Sequence, residues 1–190
     1  FKLAREQFFK FTGKFDESEP WFEVRMSMFM DWYLLDRKDR SNLTPVERYI
    51  LNNSGNEDPE TMEQLRYFLS TQRSVFRIEK IDGVNVMLKD LIRGGLWLTE
   101  WTLPIAGLQT DRIINTRIIY SKGTVFAGRG AVLHPREAKE SILSIIDRAL
   151  AEHMPPEHIT SYMDKINLKL NRYSNVKIKH VYQYPSDAVF

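Results

Sequence analysis

Apolar positions recur at helical spacing through the first third of the chain and switch to alternation at Ser74. Leu3, Phe8 and Phe11 fall close to one helical face, and a loop from Gly13 to Glu19 leads to a second helix, with Ser18 as its candidate N-cap and Pro20 in its first turn. From Trp21 to Leu35 that helix is apolar almost all round, the pattern of a helix contacted on several sides, which puts it at the centre of the helical region. Thr44-Pro45-Val46-Glu47 is a capping box: the Thr44 hydroxyl accepts the third amide of a short helix and Glu47 reaches back to the cap amide. Asp58-Pro59-Glu60 repeats the start signal, and Met62, Leu65, Phe68 and Leu69 form the stripe of a further helix that ends near Gln72. Residues 1–72 therefore read as a helical subdomain.

Beyond Ser74, Phe76, Ile78 and Lys80 alternate with Val75, Arg77 and Glu79, and Asp82-Gly83 supplies the positive φ of a tight hairpin turn into Val84 to Leu88. Gly94-Gly95 precedes a strand from Leu96 to Trp101, and Lys122-Gly123 separates strands at 113–120 and 125–133. Five strands joined by short turns across 73–134 predict a small curled sheet or an SH3-like or OB-like barrel, because curling removes exposed edges. After His134-Pro135, Ala138, Ile142, Ile145, Ile146, Ala149 and Leu150 face one side of an amphipathic helix that Pro155-Pro156 ends, and Ile159, Met163, Ile166 and Leu170 mark a last helix. From Val176 to Tyr184 the period is two again, with Val176, Ile178, Tyr182 and Tyr184 on one face and Lys177 and Lys179 on the other, so residues 135–190 read as two helices and a terminal edge strand guarded by lysine. The fold class is α+β: a helical N-terminal part packed on the five-stranded sheet, closed by those last elements.

Composition narrows the chemistry more than it names it. The chain has no cysteine, which removes disulfides, thiolate metal sites, Fe–S clusters and cysteine nucleophiles, and suits a cytoplasmic protein. No apolar run is long enough for a membrane span, and the start at Phe1 shows no signal-peptide pattern. The net charge of +2, from 27 basic and 25 acidic residues, creates no global field for nucleic acid, so anion binding has to be local. His134, His153, His158 and His180 lie on different predicted elements without zinc-ligand spacing, so no metal is expected. Gly128-Arg129-Gly130 lacks the remainder of a P-loop and reads as a bulge or tight corner. There is no Gly-x-Ser-x-Gly elbow. No catalytic or cofactor-binding residue is predicted, and the chain reads as non-catalytic.

Other residues stand out against this background. Asp31, among Met28, Phe29, Met30, Trp32 and Tyr33, is either a buried carboxylate with a raised pKa or a solvent-facing or arginine-paired one, Arg25 and Arg77 being candidate partners. Trp97 and Trp101, at i and i+4 of one strand, share a face, either as an exposed platform for a partner or as a cap on the barrel core. Lys165, Lys169, Arg172, Lys177, Lys179 and His180 gather with Tyr173, Tyr182 and Tyr184, a mixture suited to anions and stacked bases or else a solvated helix face and a protected edge. An enzymatic site would need assembly from scattered residues such as Asp31, Asp90, Arg93, Arg117 and Arg129.

Two stretches, Trp32-Tyr33-Leu34-Leu35-Asp36 to Thr44-Pro45-Val46-Glu47-Arg48-Tyr49-Ile50 and Ser74-Val75-Phe76-Arg77-Ile78 to Leu88-Lys89-Asp90-Leu91-Ile92-Arg93-Gly94, resemble uncharacterised bacterial proteins. In those proteins a helical Trp-Tyr segment precedes a small β domain, sometimes beside a SEC-C zinc-binding tail. Their pattern has Gly-Asp where Thr110-Asp111-Arg112 stands here, and the chain lacks the cysteines of such a tail. The resemblance implies the same α+β organisation and carries over no catalytic residue. The expectation is a cytoplasmic binding or scaffolding module that contacts a protein partner or its own copy through Trp97 and Trp101 or through Lys177, Lys179, Tyr182 and Tyr184. The alternative is nucleic-acid binding by the basic C-terminal segment, with Lys165, Lys169, Arg172 and His180 as anion-binding residues.

Overall fold

The computed structural model describes residues 1–102, 106–173 and 176–185. Four helices open the chain: α1 (Lys2–Thr12), α2 (Phe22–Leu35), α3 (Pro45–Asn53) and α4 (Pro59–Tyr67). The Thr44 capping box forms in both directions, Glu47 N donating to Thr44 Oγ1 at 3.2 Å and Thr44 N to Glu47 Oε2 at 2.7 Å. Asp58 caps α4 by accepting from Glu60 N and Thr61 N. The start of α2 differs from expectation: Trp21 occupies the cap and Pro20 precedes the helix, because Ser18 is turned back onto the Asp16 carboxylate.

Six strands follow: β1 (Gln72–Asp82), β2 (Asn85–Asp90), β3 (Leu96–Glu100), β4 (Ile113–Ser121), β5 (Thr124–Ala127) and β6 (Val132–Leu133). They run β1-β2-β3-β5-β4, and β4 pairs back onto β1, so five strands close a ring with an OB-like order while β6 adds to β4. The single strand expected over 125–133 is thus two. Gly128 N donates to Arg117 O at 2.7 Å, and Gly130 lies so close to α2 that a Cβ there would meet Met28 N at 2.9 Å. The Gly128-Arg129-Gly130 corner is a close helix-to-barrel approach. At the β4–β5 turn, Lys122 and Gly123 have φ of 47° and 83°, as a two-residue hairpin with right-handed strand twist requires.

The rest of the chain is α5 (Lys139–Ala151), α6 (Pro156–Arg172) and a short α7 (Ile178–Val181). Leu150, expected on the core face of α5, is exposed at its end. The expected edge strand at Val176 to Tyr184 is absent: residues 178–181 form a helical turn that buries Val181 and Tyr182 against the α5–α6 core, while Lys177 and Lys179 face solvent. A single helical turn also separates Val181 and Tyr182 from the lysines, and the segment packs on helices instead of adding to the barrel.

The core has three parts. Phe76, Ile78, Val86, Leu88, Ile114 and Ile118 fill the barrel. Phe8, Phe15, Met28 and Phe29 join α1 to α2, with Val132 and Leu168 reaching in from β6 and α6. Val75, Ile92 and Ile113 on the barrel's outer side pack with α5 and α6. Residues 113–118 of β4 are buried in succession, which marks a strand covered on both faces.

Candidate functional site

The register of β1 on β4 sets up an electrostatic problem. Arg73 lies directly opposite Arg117 and Val75 opposite Asn115, on the side of the barrel that the helices cover. Two arginines across an antiparallel pair repel unless acids reach them, and burial raises the demand. Asp164 of α6 meets Arg73 and Asp36, just past α2, meets Arg117, whose Nη1 also donates to Thr71 Oγ1 at 2.8 Å. A third arginine, Arg25, is buried on α2 and donates to Asp164 O and Asn167 Oδ1, each at 3.0 Å. Burial pushes the Arg25 and Arg73 guanidiniums down to about 10, which leaves both charged at neutral pH.

From Asp164 a hydrogen-bonded chain crosses the interior. Asn115 Nδ2 donates to Asp164 Oδ1 at 2.9 Å and to Thr160 O at 3.2 Å. The Asn115 oxygen therefore faces His134 Nε2, at 3.0 Å, so Nε2 carries the proton and Nδ1 accepts from the Tyr182 hydroxyl at 2.8 Å. Burial, with Arg25 and Arg112 adding to it, holds the His134 imidazole down to about 3. His134, Asn115 and Asp164 have no solvent exposure, so no substrate reaches this relay. Its chemistry is structural: it fastens the C-terminal segment to the barrel through Tyr182, whose phenol burial pushes up.

The same polar layer opens at one end into a cleft of about 410 Å3, walled by Phe11 of α1, Trp32 and Asp36 of α2, Thr71, Gln72 and Arg73 at the start of β1, Arg93, and Glu157, His158, Thr160 and Ser161 of α6. Arg93 is placed by a loop that Asp90 organises. The buried Asp90 carboxylate accepts from Ser74 Oγ at 2.7 Å, Gln72 Nε2 at 2.5 Å, Ile92 N at 2.8 Å and Arg93 N at 2.9 Å. Gly94 and Gly95, with φ of 79° and 87°, then turn the chain into β3. Arg93 spends one N–H on Arg73 O at 3.0 Å and has no carboxylate partner, while Glu157 has no side-chain partner among the described residues. At the cleft, Phe11 and His158 lie nearly parallel, at 14°, with ring centroids 6.5 Å apart.

The residues singled out in the sequence disperse differently. Asp31 is half-buried, and its neighbours are Arg117, Arg73 and Asp36 instead of Arg25 or Arg77; burial raises its carboxyl pKa against the pull of the two arginines. Arg129 is exposed at the corner. Trp101 is buried, its indole N–H on Thr99 Oγ1 at 2.8 Å, and Trp97 packs half-buried on the barrel core, so the two share the inward side and offer no exposed platform. The outward residues of β3 are Leu96 and Leu98, 61% and 58% exposed. Of the basic C-terminal group, Lys169, Lys177, Lys179 and His180 are exposed and Lys165 half-buried, whereas Arg172 is tied to Glu19 and Lys14 O, and Tyr184 to Glu152 and Arg148. No group of three or more acids and histidines among the described residues is arranged to hold a metal. No described helix is long and apolar enough to cross a membrane.

Fold and cleft together define an α+β protein in which a small closed barrel carries a helical cover and a polar cleft opens at their junction. The chain belongs to a family of unknown function (DUF7986), which matches residues 19–178. No curated protein and no solved structure matches it.

Proposed function

We propose that this protein is a non-catalytic binding module of the bacterial cytoplasm whose recognition site is the cleft between α1, α2, α6 and the start of β1. The observation that carries the reading is a contrast in pairing. Arg73 and Arg117 meet the carboxylates of Asp164 and Asp36, while Arg93 and Glu157 line a ligand-sized hollow without charged partners among the described residues. A thermal-shift screen of small polar metabolites against the wild-type chain and Arg93→Ala tests it. Stabilising compounds whose effect disappears in R93A support the site; compounds that stabilise both chains equally overturn it.

A second reading, contact with a protein partner, draws on Leu96 and Leu98 of β3, each more than half exposed. Cross-strand pairs Met87 with Leu98 and Lys89 with Leu96 make that face apolar with a charged margin. A partner retained at high salt by the wild-type chain and lost by Leu98→Glu supports this reading, and equal retention by both chains contradicts it.

A further inference from the structure

We propose that the cleft binds a flat aromatic molecule bearing one anionic group and one hydrogen-bond donor, with its ring against Phe11 and His158 and its anion on Arg93. The proposal rests on the reading of the cleft as a ligand site and adds the chemical class.

Of the ionic residues lining the cleft, Asp36 is engaged by Arg117 and Arg73 by Asp164, so neither offers a free charge to a ligand. What remains is one guanidinium, Arg93, and one carboxylate, Glu157. A bare anion meets attraction from the first and repulsion from the second, and a bare cation meets the reverse. A ligand that carries an acid at one end and an N–H donor at the other satisfies both. Arg93 keeps N–H groups beyond the one given to Arg73 O, and a planar guanidinium fits carboxylate or phosphate oxygens.

Ring geometry supplies the flat part. A centroid separation of 6.5 Å is near the loose limit of aromatic pairing, so Phe11 and His158 gain little from each other. Both rings border the cleft and lie within 14° of parallel, so a flat ring laid against them meets aligned aromatic surface. Phe11 is 41% exposed although it borders a cavity, and Trp32 adds a further aromatic wall. Thr71, Ser161 and Gln72 line the same space and supply neutral polar contacts. Two sources share this chemistry: nucleoside monophosphates, with a base amine and a phosphate, and aromatic amino acids, with an ammonium and a carboxylate.

Isothermal titration calorimetry on the whole 190-residue chain separates them. The probes are the four ribonucleoside 5′-monophosphates, tryptophan, tyrosine and phenylalanine, with inorganic phosphate, ribose 5-phosphate and glycine as ringless controls. The expected result is binding by members of one aromatic set and none by the ringless controls. Arg93→Ala and Phe11→Ala should each weaken that binding about tenfold, with thermal midpoints close to wild type because both side chains are exposed. Equal binding of ringless and ring-bearing probes, or aromatic binding unchanged in F11A and R93A, overturns the proposed class. Nuclear magnetic resonance distinguishes the two levels of failure. A non-aromatic compound that shifts Gln72, Arg93 and Ser161 removes the aromatic class and keeps the cleft; no shift at those residues with any probe or screened compound removes both.

Discussion

The sealed relay and the open cleft are neighbours built from the same kinds of residue, yet they behave as opposites. In the relay, Tyr182, His134, Asn115 and Asp164 each use their polar atoms on one another and none reaches solvent beyond a trace. In the adjoining cleft, which Arg73 and Thr160 also line, Arg93 and Glu157 have no charged partner among the described residues. Burial and pairing explain the difference. A buried polar group without a partner destabilises the fold, so the relay's groups are matched; a group at a cleft mouth is solvated and can remain available. Perturbed acid–base groups alone point to the wrong place here, since His134, whose imidazole is held down to about 3, is inaccessible.

Substitutions on the two sides should separate them cleanly. Asp164→Ala carries the largest expected effect: it leaves Arg73 buried without its carboxylate and one Asn115 N–H without an acceptor, and should cost about 3–5 kcal/mol in urea unfolding. A loss below about 1 kcal/mol would mean that the relay bears little of the fold's stability.

His134 adds a pH signature with a defined sign. Its folded value lies below the unfolded value of 6.5, so between about 3 and 6.5 the unfolded chain binds more protons than the folded one. Stability is therefore complete above that window and falls as the pH is lowered through it, by about 1.4 kcal/mol per pH unit from this group. His134→Gln should be less stable at neutral pH and lose stability less steeply on acidification, measured by urea melts from pH 7 to 4. An unchanged acid slope would show that the imidazole is not held neutral.

Smaller effects finish the contrast. Tyr182→Phe removes the hydroxyl that His134 Nδ1 accepts from, with an expected cost of about 1–3 kcal/mol for a buried acceptor left unsatisfied. Arg93→Ala should change stability by less than about 0.5 kcal/mol, because the side chain is exposed and makes one hydrogen bond. A large loss in R93A would make Arg93 a structural strut of the Asp90 loop instead of a ligand group.

How much of this the sequence displays depends on how local the cause is. The Thr44 box, the Asp58 cap and the Lys122-Gly123 turn are written in a few adjacent residues, and all form. The Val176 to Tyr184 segment alternates equally well for a strand, but its outcome was decided by packing on α5 and α6, which is not local. Trp97 and Trp101 do share a face; whether that face points in or out follows from how the ring closes. Arg117 and Arg93 were visible as isolated charges, whereas the opposition of Arg73 to Arg117 depends on register. Two local patterns do mark the polar layer. Thr160, Asp164 and Asn167 form an i, i+4, i+7 stripe beside the apolar face of α6, and Asn115 and Arg117 interrupt an isoleucine-rich strand. Phe11 and His158 meet only because α1 and α6 pack together, which no spacing reveals.

The most direct test of the central claim is backbone chemical-shift mapping of the wild-type chain with a mixed library of small polar and aromatic compounds. The account predicts shifts concentrated at Phe11, Gln72, Arg93, His158 and Ser161, with His134 and Asn115 unmoved. Shifts confined to Leu96 and Leu98, or to Lys177, Lys179 and His180, would contradict it and move the binding site to β3 or to the C-terminal segment.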